Sequence, residues 1–358
     1  DPSSPCGCAR TGAAKHRCQD CPLVCREGTE DPAQSYDDEF RIRLREGISL
    51  DQLSLSQPAP PETPPLLIPL RTRNLTEADG ARLTYAATNL EGLLSLSSNG
   101  SRVRLRKRLT GTSSALRRSL KVSDSARILA VLNGKDEVLE GMWPFSARSR
   151  LVSALSAMSV LGVTGPTYSV YELDPASHRT YMAMRHHKMV QEIDSAGLLP
   201  IPNLYWREGD ERDIALWGDF LNANPQIRWI TRDFSRDKHA ATFDVHLDGL
   251  VRVLRRAGRE FHVFALTGPV FGNKAVRRLA EVGCTCSIVT ARPVLAGLKG
   301  RALIERGGRV EERILSGTLS GSSLAVENLS RVENLLLKTA FRAGVSAQPT
   351  LLRQGSLV

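Results

Sequence analysis

A chain of 358 residues is long enough for about two domains, or for one α/β barrel with an appended segment. Its apolar content of 41% can build a sizeable core, and no apolar run approaches the ~18 residues that argue for a membrane span. Because no signal-peptide pattern is present, we expect a cytoplasmic protein without a membrane partner. The net charge of +10 favours an anionic partner, and nucleic acid is the first candidate.

Five of the seven cysteines lie in residues 1–30, with the spacing C-x-C-x9-C-x2-C-x3-C. Because little apolar sequence separates them, we predict that a metal replaces a hydrophobic core in this segment. Structural Zn²⁺ held by four thiolates is the favoured interpretation, with an iron–sulfur cluster as its main alternative and disulfides as a third. The predicted ligands are Cys8, Cys18, Cys21 and Cys25, with Cys6 as an alternative ligand.

Residues 31–65 change from acidic composition to a proline-rich run at 57–65. Such proline density disfavours both helix and sheet interior, so we predict a linker or an arm laid over the body. Residue 66 then begins the main domain.

A basic segment, 92–123, follows a predicted strand at 66–70 and a predicted helix at 76–90. It contains no acidic residue, and its Ser98-Asn99-Gly100 sequence predicts a hairpin between 93–96 and 102–105, from which the chain continues as a loop to residue 120. We predict a nucleic-acid contact there, with a solvated basic face as the alternative. The predicted contacts are Arg102, Arg104, Arg106, Lys107, Arg108, Arg117, Arg118 and Lys121.

Beyond residue 124 apolar runs of strand length alternate with segments of helical periodicity. The predicted strands are 127–132, 159–163, 199–204, 227–230, 261–266 and 284–289. With 66–70 and a strand near 302–304 they number eight, which favours a (β/α)8 barrel over residues 66–343; an open parallel α/β sheet is the alternative. A late helix is expected at 324–343, and residues 344–358 are expected to form a tail.

Candidate catalytic residues follow from the rule that reacting groups lie at the carboxyl ends of barrel strands. Asp233 ends an apolar run and is the favoured carboxylate, with Glu172 as a second one. Trp206 is a candidate for stacking on a base. A helix opening near 272–274 could bind phosphate through free backbone N–H groups. The predicted phosphate or substrate contacts are Gly272, Asn273, Lys274 and Arg292.

Three segments, 266–274, 286–292 and 300–310, together resemble the late barrel region of the tRNA-guanine transglycosylase superfamily. The resemblance covers about residues 261–310 and implies a (β/α)8 barrel with a zinc site that exchanges a nucleic-acid base. Cys286 stands where this resemblance expects the nucleophilic aspartate, and the family's Asp-Ser-Gly-Gly segment is absent. Residues 202–233 also resemble uncharacterised bacterial and phage barrel proteins.

These patterns predict a nucleic-acid-acting barrel enzyme, most concretely one that modifies or exchanges a base. Asp233 would then supply one of the two acid–base groups that such a reaction needs. The alternative is a non-catalytic nucleic-acid-binding protein of a mobile element, phage or defence system. A small-molecule barrel enzyme whose basic surface is incidental is a third hypothesis.

Overall fold

The computed structural model describes residues 55–56, 62–97, 103–109, 112–169, 176–206, 211–306, 309–314 and 321–351. The predictions for Cys6, Cys8, Cys18, Cys21 and Cys25 therefore lie outside the described residues, as do those for Arg102 and Glu172. Among the described helices, none is both long and apolar enough to cross a membrane.

The strands form two four-stranded parallel sheets and two antiparallel hairpins. Their bounds are β1 Leu67–Pro69, β2 Tyr85–Asn89, β3 Leu94–Leu96, β4 Val103–Leu105, β5 Arg127–Val131, β6 Gly162–Thr164, β7 Pro200–Ile201, β8 Trp229–Asp233, β9 His262–Leu266, β10 Thr285–Thr290, β11 Arg301–Arg306 and β12 Arg309–Ile314. One parallel sheet has the order β1-β10-β9-β8, and the other has the order β2-β5-β6-β7.

Helices alternate with most of the parallel strands, and short helices flank the first two. Their bounds are α1 Glu77–Gly80, α2 Leu90–Leu93, α3 Ser113–Leu120, α4 Asp136–Met142, α5 Phe145–Ala157, α6 Ala176–Ser195, α7 Glu211–Ala223, α8 Ala240–Ala257, α9 Pro269–Ala280, α10 Arg292–Leu298 and α11 Gly321–Arg342. The chain is thus an α/β protein with parallel sheets, which confirms that part of the predicted fold class.

Single parallel bridges link the two sheets at both pairs of edges. Leu70, directly after β1, bridges Ala87 of β2, and Asn203, shortly after β7, bridges Thr231 of β8. At the second junction Leu204 N donates to Thr231 O at 2.8 Å, and Thr231 N donates to Pro202 O at 2.8 Å. The strands of both sheets therefore run in one direction, and their carboxyl ends share one edge.

A separate apolar cluster lies on one side of the parallel strands. Because side chains alternate along a strand, every second residue of each strand faces the same way. The cluster comprises Ile68, Tyr85, Ala87, Leu129, Val131, Leu199, Ile201, Trp229, Phe264, Leu266 and Val289. We call this side of the strands the inner side. The remaining core lies between the outer side and the helices.

Two predicted elements near the start and end of the main domain are wrong. Residues 76–90 form a four-residue helix capped by Thr76 and then strand β2, whereas a single helix was predicted. The eighth predicted strand, near 302–304, lies instead in the antiparallel hairpin β11–β12. The reason for the first error is that β2 is buried on both faces, so its sequence lacks the period-two pattern of a half-exposed strand.

The basic segment contains the predicted hairpin but not the predicted loop. β3 and β4 pair antiparallel, with Leu94 opposite Leu105. Residues 113–120 then form helix α3, which begins after Thr112, whose hydroxyl accepts a hydrogen bond from Ala115 N at 3.2 Å. Lys121 ends the helix with a left-handed φ of 54°.

The segments at both ends of the main domain pack on its body. Ser56 N donates to Asp194 Oδ2 at 2.9 Å, as an arm laid over the body requires. Residues expected in a tail are also attached, since Thr84 N donates to Thr350 O at 3.0 Å and Leu351 pairs with Leu83. The described part of the predicted tail, up to Leu351, therefore belongs to the folded body.

Replacing Gly297 with alanine is expected to destabilise the fold. A Cβ atom at Gly297 of α10 would lie 2.3 Å from both the Cα and the N atom of Ala325 in α11. Because backbone must move to make room, we expect Gly297→Ala to lower the free energy of unfolding by about 1–3 kcal/mol in urea titrations. Gly268→Ala is the matched control, since nothing lies within 4 Å of its Cβ position. Equal stability of the two variants would contradict the observed helix packing.

Candidate functional site

At the carboxyl ends of the strands, the residues on the inner side are polar and no longer apolar. On β5 the inner residues Leu129 and Val131 are followed, two residues on, by Asn133, and Ile201 of β7 is likewise followed by Asn203. On β8 the same alternation places Asp233, the last residue of the strand, on the same side as Trp229. We call Asn133, Asn203 and Asp233 the mouth layer. It caps the apolar inner cluster at the edge where parallel α/β folds place their ligands.

Asn133 and Asp233 meet across this mouth. Asn133 Nδ2 lies 3.5 Å from Asp233 Oδ2, although β6 and β7 separate β5 from β8 along the linked sheets. The other carboxylate oxygen, Asp233 Oδ1, accepts a hydrogen bond from Ser235 N at 2.8 Å. The predicted carboxylate is therefore held by its own strand end, with one oxygen directed at the mouth.

Two amide oxygens of the mouth layer are buried without a hydrogen-bond donor among the described residues. They are Asn133 Oδ1 and Asn203 Oδ1. The opposite end of each amide is occupied, because Asn133 Nδ2 faces Asp233 and Asn203 Nδ2 donates to Thr167 Oγ1 at 2.9 Å. A buried acceptor without a partner costs free energy, and a bound group that donates hydrogen bonds could recover it.

Arg232 and Trp206 lie beside the mouth layer but are packing residues. The Arg232 guanidinium lies 4.2 Å from the centre of the Trp206 ring, and its Nη1 donates to Leu204 O at 2.9 Å. Burial lowers the pKa of Arg232 to about 10. Trp206 is 7% exposed, and a Cβ at Gly249 would lie 2.6 Å from its Nε1. The structure therefore places Trp206 between Arg232 and α8, away from a position where a base could stack on it.

The predicted phosphate contacts at 272–274 lie inside α9, not at its start. The helix begins at Pro269, so the expected free backbone N–H groups at these positions are absent and that prediction is wrong. Gly272 packs against Ile288, Asn273 Oδ1 accepts a hydrogen bond from Thr339 Oγ1 at 3.1 Å, and Lys274 Nζ lies 2.5 Å from Asp244 Oδ1.

Arg292, the remaining predicted contact of this group, begins helix α10 after the carboxyl end of β10. Its Nε lies 2.5 Å from Glu312 Oε1 of β12. Arg292 is thus tied to the β11–β12 hairpin and stays half-exposed.

Cys286 occupies the position where the transglycosylase resemblance expects an aspartate. Cys286 is buried on the outer side of β10, whereas the mouth-layer residues lie on the inner side of their strands. Burial raises the pKa of its thiol to about 12, so the thiolate is disfavoured. This position therefore supplies no nucleophile to the mouth.

The cations of the basic segment divide into exposed and structural ones. Arg104, Lys107, Arg108 and Arg118 are exposed. The other three are held by backbone oxygens: Arg106 Nε donates to Glu91 O at 2.9 Å, Arg117 Nε to Ala126 O at 3.1 Å, and Lys121 Nζ to Leu75 O at 2.8 Å. Arg117 is only 7% exposed, so its predicted contact with nucleic acid is wrong.

Two arginines that sequence reasoning missed lie directly after β1. Arg71 adopts a left-handed φ of 67°, and its Nη2 lies 2.7 Å from Glu91 Oε2. Arg73 follows it and lies near Arg71, Arg106 and Arg108; burial and these like charges lower the pKa of Arg73. The rule that places ligands at strand ends could have found both residues, because Leu70 ends the first predicted strand.

A small pocket joins these arginines to β2 and α3. Its lining residues are Arg71, Arg73, Ala87, Thr88, Asn89, Gly92, Arg108, Leu116, Ser119 and Leu120. We call it the arginine pocket. It lies at the carboxyl ends of β1 and β2, the same edge as the mouth layer.

The described residues contain no group of three or more His, Cys, Asp or Glu side chains placed to hold a metal. His186 and His187 of α6 are buried and pack against Trp217. His262 on β9 is also buried, with Nδ1 2.8 Å from Thr285 Oγ1 and Nε2 2.8 Å from Ser287 Oγ.

No protein-family model matches the chain, and no curated protein matches it. Among solved structures, the chain is similar to a proposed sugar phosphate isomerase/epimerase from Anabaena variabilis, with 12% sequence identity and a TM-score of 0.37. The match covers 78% of this chain and 100% of that chain. A TM-score of 0.37 is too low for this likeness to support a conclusion about the chain.

The buried histidines predict a loss of stability in mild acid. Burial lowers the pKa of His187 to about 4 and that of His262 to about 3, and places the pKa of His186 well below 6.5. Below pH 6.5 the unfolded chain therefore binds protons that the folded chain does not. Each histidine should cost about 1.4 kcal/mol of stability per pH unit in that range.

Urea titrations at pH 7.5 and 5.5 measure this effect. We expect the free energy of unfolding to fall by roughly 4 kcal/mol for the three groups together. His262→Gln, which keeps a polar group beside Thr285 and Ser287, should remove about one third of the fall. A stability that is the same at both pH values would show that the three imidazoles are not buried in the neutral form.

Proposed function

We propose that this protein acts on nucleic acid as an α/β-barrel enzyme that modifies or exchanges a base. The backbone phosphates lie on the exposed cations of the basic segment, and a base with its sugar enters the mouth beside Asp233. The observation that carries the proposal is that the basic hairpin and the Asp233 carboxylate share one edge of the parallel strands. We also propose that the two sheets close into one eight-stranded (β/α)8 barrel.

Closure is supported by the links at both pairs of sheet edges. The bridges Leu70–Ala87 and Asn203–Thr231 place β2 beside β1 and β8 beside β7. The inner apolar cluster contains residues of strands from both sheets, as the filled interior of a barrel requires. A barrel gathers all its strand ends around one mouth, which is the arrangement that the Asn133–Asp233 contact indicates.

The position of the basic hairpin follows from the chain order. β2 ends at Asn89, and the chain runs through α2 into the β3–β4 hairpin before it returns along α3. The hairpin is therefore an insertion at the carboxyl edge, so Arg104, Lys107 and Arg108 belong to the rim of the mouth. Cations on such a rim attract phosphates from solution and orient the polymer before a base reaches the site.

Asp233 has the geometry of a reacting carboxylate. Ser235 N holds one oxygen, while the second oxygen faces Asn133 at the mouth. In base exchange this oxygen attacks the sugar carbon, the bond from sugar to base breaks, and the electron pair leaves on the base, which takes up a proton. The incoming base then attacks the same carbon and releases the Asp233 carboxylate.

The proposal assigns proton transfer to the second predicted carboxylate, Glu172, which lies outside the described residues. Its chemical type is suited to giving a proton to the departing base and taking one from the incoming base. The transglycosylase resemblance of residues 261–310 supports this reaction class, although Cys286 replaces the aspartate that it expects.

The proposed metal would be bound by the cysteine-rich segment and would have a structural role, with no part in this reaction. Four closely spaced thiols suit Zn²⁺, because four thiolates can bind the ion in a closed tetrahedral site. Such a site would stabilise a small segment that lacks a hydrophobic core. Cys8, Cys18, Cys21 and Cys25 would hold it, with Cys6 as the alternative ligand and an iron–sulfur cluster as the alternative group.

Nucleoside mass spectrometry after incubation of the full chain with RNA or DNA, with and without free bases, tests the reaction. We expect a modified or exchanged base with the wild-type protein and a loss of at least about 100-fold in rate for Asp233→Asn, because the variant lacks the carboxylate. Asp219→Asn is the matched control, since Asp219 is exposed on α7 and pairs with Arg256. Equal rates for the wild type and Asp233→Asn would remove Asp233 from the mechanism. No product from the wild type, together with intact binding, would favour the non-catalytic alternative.

Binding should depend on the rim cations. We expect the double variant Arg104→Ala, Arg108→Ala to bind an oligonucleotide more weakly and to reduce the slope of log K against log salt by about 2, since each residue neutralises about one phosphate. The control is Arg255→Ala, an exposed arginine in the last turn of α8, near the opposite edge of the strands. If Arg255→Ala weakens binding as much as the double variant does, the rim is not the contact surface.

A further inference from the structure

The arginine pocket is a small, partly open depression on the flank of the mouth, and its exposed Arg108 also belongs to the rim. Ala87, Leu116 and Leu120 form its floor, and all three are buried. The polar side chains of Thr88 and Ser119 line its walls. The pocket therefore lies between the end of β2, helix α3 and the turn that follows β1.

Positive charge outweighs negative charge among the described residues around the arginine pocket. Arg71, Arg73, Arg106 and Arg108 lie close enough to influence one another, and Glu91 is the acidic residue that acts on them. Four guanidinium charges against one carboxylate leave a net charge of +3. Because like charges brought together from water repel, such a cluster is stabilised by an anion.

Two of the four guanidinium groups form hydrogen bonds with other described residues. Arg71 pairs with Glu91, and Arg106 Nε donates to Glu91 O. By contrast, Arg73 and Arg108 make no hydrogen bond to another residue in the described part of the chain. Their planar donor groups can each bind two oxygens of a tetrahedral anion.

The backbone at Arg71 supports a binding role for this turn. A φ of 67° is uncommon for a residue that is neither glycine nor asparagine, and residues held in this way concentrate at ligand sites. The turn that follows is closed by backbone hydrogen bonds from Asn74 N to Arg71 O and from Leu75 N to Thr72 O. The backbone that carries Arg71 and Arg73 is therefore held in one conformation by the turn after β1.

We propose that the arginine pocket binds a phosphate monoester, either free or at the end of a phosphorylated molecule. A monoester carries about −1.5 to −2 charges at pH 7 and three oxygens that accept hydrogen bonds. These properties match a cluster of four arginines, two of which make no hydrogen bond to another described residue. An internal phosphodiester carries one charge and continues on both sides, so it matches this charge less well than a monoester does. This proposal does not depend on the reaction at Asp233.

Isothermal titration of the full chain with inorganic phosphate at pH 7.5 and fixed chloride concentration is the first test. We expect saturable binding that Arg108→Ala weakens by about tenfold to a hundredfold, because a charge-assisted pair of hydrogen bonds is lost. Arg73→Lys keeps the charge but removes the fork, so it should also weaken binding by about tenfold or more. Arg255→Ala should bind phosphate as the wild type does. No binding, or equal binding by all four proteins, would overturn the proposal.

The source of the phosphate is resolved by three ligands in the same assay. They are glucose 6-phosphate, an oligonucleotide with a 5′-phosphate, and the same oligonucleotide with a 5′-hydroxyl. Arg108-dependent binding of the sugar phosphate supports a small ligand. A preference of about tenfold or more for the 5′-phosphorylated oligonucleotide, lost in Arg73→Lys, supports a polymer end. Failure of both monoesters to bind would contradict the proposal even if the unphosphorylated oligonucleotide binds.

Asp233→Asn separates this proposal from the proposed reaction. Because Asp233 is not among the pocket's lining residues, the variant should bind inorganic phosphate with unchanged affinity. Loss of base chemistry with unchanged phosphate binding would support both proposals. If the wild-type protein binds phosphate but forms no base product, the result would support the phosphate site and contradict the proposed reaction.

Discussion

The alternation of side chains along the parallel strands determines which residues pack in the interior and which polar groups lie at the carboxyl edge. Ile201 and Trp229 must face the inner apolar cluster, so Asn203 and Asp233, which keep the same alternation, must face that side too. The amino-terminal part of each strand is thus committed to packing, and the carboxyl end places polar groups around one mouth. A shift of one residue in the register of β8 would move Asp233 to the outer side and turn Arg232, which is buried beside Trp206, to the inner side.

The second constraint is electrostatic. An insertion at the carboxyl end of β2 brings exposed cations to the rim of the mouth, while the turn after β1 adds Arg71 and Arg73 beside them. Glu91 offsets part of this charge. Exposed cations and the Asp233 carboxylate therefore lie at the same edge of the strands, as the proposed function requires.

Several parts of this arrangement could be predicted from the sequence because they depend on local patterns. Apolar runs that end in turn residues identified most parallel strands, and the strand-end rule selected Asp233. Strand β2 was missed because Tyr85-Ala86-Ala87-Thr88-Asn89 is buried on both sides and has no alternation. Arg117 and Arg118 are neighbours with the same charge, yet α3 turns one into the core and the other to solvent. The arginine pocket depends on the contact of three separate segments, 71–73, 87–92 and 108–120, which no local pattern records.

We propose that nucleic acid binds at the carboxyl edge of the parallel strands. Ultraviolet cross-linking of the full chain to an oligonucleotide, followed by peptide mass spectrometry, tests this claim most directly. The account predicts cross-linked peptides from the β3–β4 hairpin and from the strand end around Asp233, with none from the last turn of α8 around Arg255. Cross-links concentrated around Arg255, with none in the hairpin, would contradict it.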